Sequence, residues 1–267
     1  MKYIKEMEIK YVMEYSKHNK YISYFYDPDN CVWNQNNINV VKTFDNIFLS
    51  HNNKSFLMTT IKKYVSDEDL YTKMGIPRKL GLLFYGLPGN GKSSTIYAIS
   101  KEYNRPIYKI NLNVPKNKFI NQIHSVERGS IVVFEDIDTY HVSHNRLNSS
   151  DDKNKDKSNS EKIIMADILE ILDGYCFLLD CIIIMTTNHI DKLDSALIRS
   201  GRMDHKIEFL NAEPNQIQEI IKYFYGEKLD QTLINKIHQK NLSVSELINT
   251  HIIPNLDNLD FLIKSLT

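Results

Sequence analysis

Gly86-Leu87-Pro88-Gly89-Asn90-Gly91-Lys92-Ser93 is a complete G-x-x-x-x-G-K-[ST] phosphate loop, the Walker A pattern, and it decides how the rest of the chain is read. The chemistry dictates the spacing. Glycines let backbone N–H groups curl around the α- and β-phosphates of a nucleoside triphosphate, Lys92 reaches the β- and γ-phosphates as a point charge, and Ser93 offers a hydroxyl to Mg²⁺. A glycine-rich turn could match the pattern by accident, but the flanks argue against it. Leu80 to Tyr85 is a short apolar run ended by glycine, as a buried parallel strand should be, and Ile96, Ala98, Ile99 and Tyr103 suit one face of a following helix.

Working outward, the segments alternate between strand and helix, which predicts an α/β fold with a parallel sheet flanked by helices. Strands are expected at Ile107–Leu112, Ile131–Phe134 and Cys181–Met185, with helices over Ser55–Val65, Asp67–Lys73, Lys118–Glu127 and Lys162–Leu172. Upstream, Ile4, Met7, Tyr11 and Tyr15 recur at helical spacing between Met1 and His18, and Tyr21–Tyr26, Asp27-Pro28-Asp29-Asn30 and Cys31-Val32-Trp33 read as a β-hairpin. The hairpin aromatics invite a base-stacking role; sheet packing is the plainer reading, because aromatics are good strand residues. Residues 143–160 are almost wholly Ser, Asn, Asp, Lys and His and are expected to form a mobile loop. From Pro214 onward apolar residues follow helical spacing, and Ser243 with Glu246 is placed as a capping box. The expected division is therefore an appendage over 1–43, a nucleotide-binding domain over 44–212 and a helical subdomain over 213–267.

Composition narrows the class. Zero formal net charge weakens a role in non-specific nucleic-acid binding, and three cysteines without C-x-x-C spacing suggest neither a disulfide framework nor a zinc site. The most apolar stretch, Phe177–Met185, is too short to span a bilayer, so a soluble intracellular chain, most simply cytoplasmic, is expected.

Three further clusters carry chemistry. Phe134-Glu135-Asp136-Ile137-Asp138 ends a strand, so its carboxylates emerge at the carboxyl edge of the sheet, where one would order Mg²⁺ and the next would polarise water towards the γ-phosphate. Met185-Thr186-Thr187-Asn188 sets an amide at another strand end. Arg199 and Arg202, three residues apart, could present guanidinium groups to a transferring phosphoryl group, often one in a neighbouring subunit. An acidic turn, a turn-forming Asn and a salt-bridged arginine face are the plainer readings of each cluster taken singly.

Taken together, in this order and spacing, these motifs resemble the AAA+ ATPases with their second region of homology. Tyr71–Gly75 with Ile76-Pro77-Arg78, Gly91-Lys92-Ser93-Ser94, Phe134–Asp138, Ile168–Gly174 and Met185–His189 resemble the mitochondrial BCS-type branch, whose members translocate the folded Rieske iron-sulfur protein. The resemblance implies ATP and Mg²⁺ held by Gly86 to Ser93, with Ser94 beside them. It implies a metal-ordering role for Glu135, a water-activating role for Asp136, a sensor role for Asn188, and an arginine finger acting in trans at Arg199 with Arg202 as its companion. Because most AAA+ proteins have Asp-Glu where this chain has Glu135-Asp136, slow hydrolysis is expected. Other departures are Leu87 and Asn90 inside the phosphate loop, Ser195 and Ser200 in place of prolines, and the lack of the branch's transmembrane helix and most of its middle domain, so membrane residence and Rieske translocation do not carry over. Implied partners are further copies of the chain, six or seven in a ring, and a protein client. A nucleotide-gated scaffold with negligible turnover and a nucleic-acid motor stand as alternatives. Lys116-Asn117-Lys118-Phe119 falls roughly where many such rings place pore-facing residues, but it lacks their usual aromatic-glycine pattern, and an ordinary helix start is the plainer reading.

Overall fold

Strands whose residues are apolar without alternation must be covered on both faces. Leu80–Gly86 (β3), Ile131–Phe134 (β5) and Ile182–Thr187 (β6) meet that demand, and they lie side by side at the centre of one seven-stranded sheet. The computed structural model describes residues 21–38, 42–138, 163–174, 177–226 and 228–266. The helix expected before His18 and the loop expected over 143–160 lie outside them.

The sheet runs β2-β1-β4-β5-β6-β3-β7, with Tyr21–Asp27 as β1, Val32–Ile38 as β2, Ile107–Lys109 as β4 and His205–Phe209 as β7. All neighbouring pairs are parallel except the hairpin β1–β2. The hairpin continues the main sheet, because β1 pairs with β4 in parallel, Tyr24 opposite Tyr108. Those two rings stack with centroids 4.6 Å apart, and Trp33 meets Tyr108 edge-on at 4.9 Å, so the hairpin aromatics pack on the sheet.

Alternation assigns each face its helices. Leu80, Leu82 and Phe84 with Val133 and Ile184 pack under His51–Ser66 (α1) and Lys92–Tyr103 (α3), through Leu57, Ile61, Ile96 and Ile99. Leu83, Val132, Phe134, Ile183 and Met185 point the other way, against Lys116–His124 (α4) and Met165–Asp173 (α5), through Phe119, Ile123, Ile168 and Leu172. The short helix Glu68–Met74 (α2) follows α1 and ends on Gly75. Beyond the sheet, Pro214–Tyr225 (α6), Gln231–Gln239 (α7), Val244–Glu246 (α8) with its irregular continuation to Asn255, and Leu259–Leu266 (α9) close a separate core around Ile217, Ile220, Ile237, Leu247 and Leu262.

One expected strand is shorter than its sequence suggests, and one strand is unexpected. The strand expected over Ile107–Leu112 stops at Lys109 because the fully buried Gln122 of α4 takes over the backbone of Asn111, accepting from its N–H (2.9 Å) and donating to its carbonyl (3.0 Å). β7 carries no strand expectation at all: its only buried residues are Ile207 and Phe209, too short an apolar signal to stand out.

Gly81, in the middle of β3, is where the sheet admits the backbone of the arginine-bearing segment. A Cβ there would stand 1.8 Å from the Arg202 carbonyl oxygen. Gly81→Ala is expected to destabilise the chain by about 1–3 kcal/mol or more, as overpacking does. A urea-unfolding midpoint equal to that of the wild type would contradict this close approach.

Candidate nucleotide-binding site

At the carboxyl ends of β3, β5 and β6 the sheet opens into a cavity of about 440 Å³, a size ordinary for small-molecule pockets. Its floor is the phosphate loop. Gly86, Gly89 and Gly91 all have positive φ (128°, 81° and 92°), which turns the loop tightly from β3 into α3 and leaves Pro88, Gly89, Gly91, Lys92, Ser93 and Ser94 lining the cavity. The other three motif residues lie outside this lining, Gly86 beside a second cavity. Leu87 is exposed beside that same cavity, and Asn90 is only 3% exposed, turned towards the C-terminal helices.

Lys92 is buried, and its ammonium makes three charge-assisted hydrogen bonds, to the Gly86 carbonyl (2.6 Å), the Leu87 carbonyl (3.0 Å) and Asn188 Oδ1 (2.8 Å). Burial lowers its pKa, and the carboxylates of Asp136 and Asp138 work in the opposite direction. Phosphate oxygens entering the cavity would meet an ammonium already aimed at the loop.

The carboxylates of the second motif separate. Asp136 lines the cavity, at a left-handed φ of 47° that Asp tolerates better than most residues, and its N–H donates to Thr186 Oγ1 (2.9 Å) on β6. Glu135 instead pairs with Lys109 of β4 at 3.0 Å, and the Lys109 ammonium stands 5.5 Å from the centre of the Tyr97 ring. Burial works against the charge on Lys109, yet Glu135 and Tyr97 together hold its pKa above the ordinary value. Asp138 had no role in the sequence reading. It accepts from Thr187 Oγ1 (2.7 Å) and from the Asn188 N–H (3.2 Å), and so fixes the peptide that carries the Asn188 amide. The signal available was a third carboxylate two residues beyond Asp136, opposite a strand-end Thr-Thr pair.

The two arginines also separate. Arg202 donates to both carboxylate oxygens of Asp173 on α5 (2.7 and 2.6 Å) and to the Ala196 carbonyl. The ion pair lowers the Asp173 pKa and raises that of Arg202. Arg199 is exposed, and its side chain has no hydrogen bond or ion pair among the described residues.

Two further walls of the cavity lay beyond sequence reasoning. Asn46, Ile47, Phe48 and Leu49, ahead of α1, form one; Val244, Ser245, Ile248 and Asn249 form the other. Neither stretch has a spacing that announces a ligand. Among the described residues no three His, Cys, Asp or Glu side chains converge as a metal site. Mg²⁺ is commonly held by one or two carboxylates and the phosphates themselves, so the hydroxyl of Ser93 with a strand-end carboxylate fits that ion.

A phosphate loop at the carboxyl edge of a parallel sheet, with strand-end carboxylates and an amide facing it, defines a P-loop nucleoside triphosphatase. Residues 82–211 match the ATPase family associated with various cellular activities (AAA). The chain is 35% identical over 214 residues to the probable mitochondrial chaperone BCS1-A of Dictyostelium discoideum, covering 78% of this chain and 50% of that protein. It is 29% identical over 211 residues to the probable mitochondrial chaperone bcs1 of Schizosaccharomyces pombe (77% and 45%), and 30% identical over 216 residues to Protein HYPER-SENSITIVITY-RELATED 4 of Arabidopsis thaliana (78% and 37%). The chain belongs to the AAA+ ATPases, and within them to the BCS1 type. It spans about half the length of the two chaperone relatives, or less. Among the described residues no helix is long and apolar enough to cross a membrane.

The Asp138 contacts generate a prediction. Asp138→Ala frees the Asn188 peptide while leaving the phosphate loop intact, so nucleotide affinity should change by less than about threefold while ATP turnover falls by about tenfold or more. Equilibrium binding of a fluorescent ADP analogue, compared with steady-state phosphate release, tests the split.

Proposed function

We propose that the chain binds ATP with Mg²⁺ and hydrolyses it slowly, in a ring of six or seven copies that remodels a protein client. The observation that carries the reading is the buried Lys92 ammonium, held by the phosphate loop and Asn188 at a cavity that Lys92, Asp136 and Asn188 line together. Backbone N–H groups of the loop and Lys92 would bind and orient the phosphates; Ser93, Glu135 and Asp136 would hold the metal. Bound Mg²⁺ supplies charge neutralisation across the β- and γ-phosphates. Asp136 polarises the attacking water. Its side chain is one methylene shorter than that of the more usual Glu, so it must stand nearer the water or act through a second one, and slow turnover follows. Asn188 holds the γ-phosphate or that water.

The arginines support a shared site. Arg202 is engaged within its own subunit by Asp173, whereas Arg199 is exposed and available to stabilise transition-state charge in a neighbouring copy. A remodelling role on a protein client fits the likeness to two probable mitochondrial chaperones, and the chain's zero net charge gives no footprint for nucleic acid. One observation favours a second reading, a nucleotide-gated scaffold with negligible turnover: Glu135, the metal-ordering carboxylate of the proposal, is taken up by Lys109.

Phosphate release separates the two. Lys92→Ala should abolish nucleotide binding, and Asp136→Asn should retain it while losing turnover by about 10²-fold or more. Arg199→Ala should lose turnover by about 10³-fold as a homogeneous assembly. Mixing Arg199→Ala with Asp136→Asn subunits should restore part of it, since each supplies what the other lacks. A wild-type chain without measurable turnover would leave the scaffold; an Arg199→Ala chain fully active alone would remove the shared site.

A further inference from the structure

The first N–H groups of any helix have no partner within it. At the helix that begins with Val244, two of the three are satisfied by the phosphate loop. Val244 N–H donates to Asn90 Oδ1 (3.1 Å), Ser245 N–H donates to the Gly89 carbonyl (2.9 Å), and Glu246 N–H donates to the Ser243 hydroxyl (3.1 Å). Helical bonding then starts with Leu247 N–H donating to the Ser243 carbonyl. The other end of the Asn90 amide is used as well: its Nδ2 donates to Asn211 Oδ1 (2.9 Å), and Asn211 Nδ2 donates to the Asn241 carbonyl (2.7 Å) in the loop before Ser243. The approach is close on both sides. A Cβ on Gly89, where φ is +81°, would stand 2.9 Å from Ser243 Oγ.

This latch lies beside the reacting groups rather than among them. Asn90 does not line the cavity, but its neighbours Gly89 and Gly91 do, and the helix it caps contributes Ser245, Ile248 and Asn249 to the opposite wall. Floor and wall are therefore joined through one amide. A hydroxyl would offer a single atom; the Asn90 amide separates acceptor from donor and reaches two segments at once.

We propose that Asn90 is a positioning residue for nucleotide retention: it holds the start of α8 against the phosphate loop, so that the lifetime of the bound nucleotide depends on the contact between loop and helical subdomain. The proposal rests on the nucleotide reading above. Asn90 is buried and its bonds to Val244 (3.1 Å) and Asn211 (2.9 Å) are of ordinary length, so the latch is worth about as much as two hydrogen bonds and opens without any phosphate contact having to break first.

Asn211→Ala tests this without altering the phosphate loop, and Asn90→Thr tests it directly. The probe is mant-ADP, with its dissociation rate read by stopped flow, alongside KM and kcat for ATP and a melting curve without nucleotide. Asn90→Thr should speed dissociation by about tenfold and Asn211→Ala by about threefold, as loss of one or two hydrogen bonds allows. For Asn211→Ala, KM should rise while kcat stays within about twofold. The double variant should dissociate no faster than Asn90→Thr alone, because Asn211 acts through Asn90. Unchanged dissociation in both variants, with or without a lower melting temperature, overturns the proposal and leaves a merely structural contact; if Asn90→Thr does not fold, Asn211→Ala decides. Failure of the wild-type chain to bind mant-ADP would instead remove the nucleotide reading, and this inference with it.

Discussion

A buried ammonium must find oxygen partners, because an unpaired charge withdrawn from water costs far more than one hydrogen bond returns. Lys92 finds three, on the loop carbonyls of Gly86 and Leu87 and on Asn188 of the neighbouring strand end. That requirement ties the end of β3 to the end of β6. Asn188 is placed in turn by Asp138, at the end of β5, and Asp138 is held by Thr187. The reacting face of the sheet is thus one connected polar network across three strands, with Thr186 setting the turn that presents Asp136. A polar network rigidifies its surroundings most when every member is satisfied, so the three strand ends hold one another in place.

The parts of this arrangement that sequence discloses are those fixed by local chemistry. A phosphate loop needs its glycines and its lysine at set intervals, and a strand buried on both faces needs four or more apolar residues in a row, so β3, β5, β6 and the loop are legible. What depends on a partner elsewhere is not. Gln122 ends β4 by imitating a strand edge from a helix, and nothing near Asn111 announces it. β7 buries two side chains, and Asn90 reads as an oddity of the loop until Val244, 154 residues away, is seen donating to it. The cavity walls around Phe48 and Ile248 come from stretches with no motif, placed by the packing of the helical core.

The arginine pair shows where a spacing rule loses force. Three residues apart places side chains on one face of a helix, but Arg199 to Arg202 is a turn in which Gly201 has φ +88°. Asp173 and the Ala196 carbonyl then claim Arg202. The exposed Arg199 differs from it in having no hydrogen bond or ion pair to its side chain among the described residues.

The Lys109–Glu135 pair decides how far the resting site stands from a competent one. Both side chains are about one-third exposed, so solvent screens their attraction and the pair is worth on the order of 1 kcal/mol or less. A divalent ion beside polyphosphate offers a carboxylate a much stronger local field than one ammonium does. Glu135 can therefore leave Lys109 at small cost, with the Tyr97 ring still beside the released ammonium. The ion pair restrains the Glu135 carboxylate without locking it.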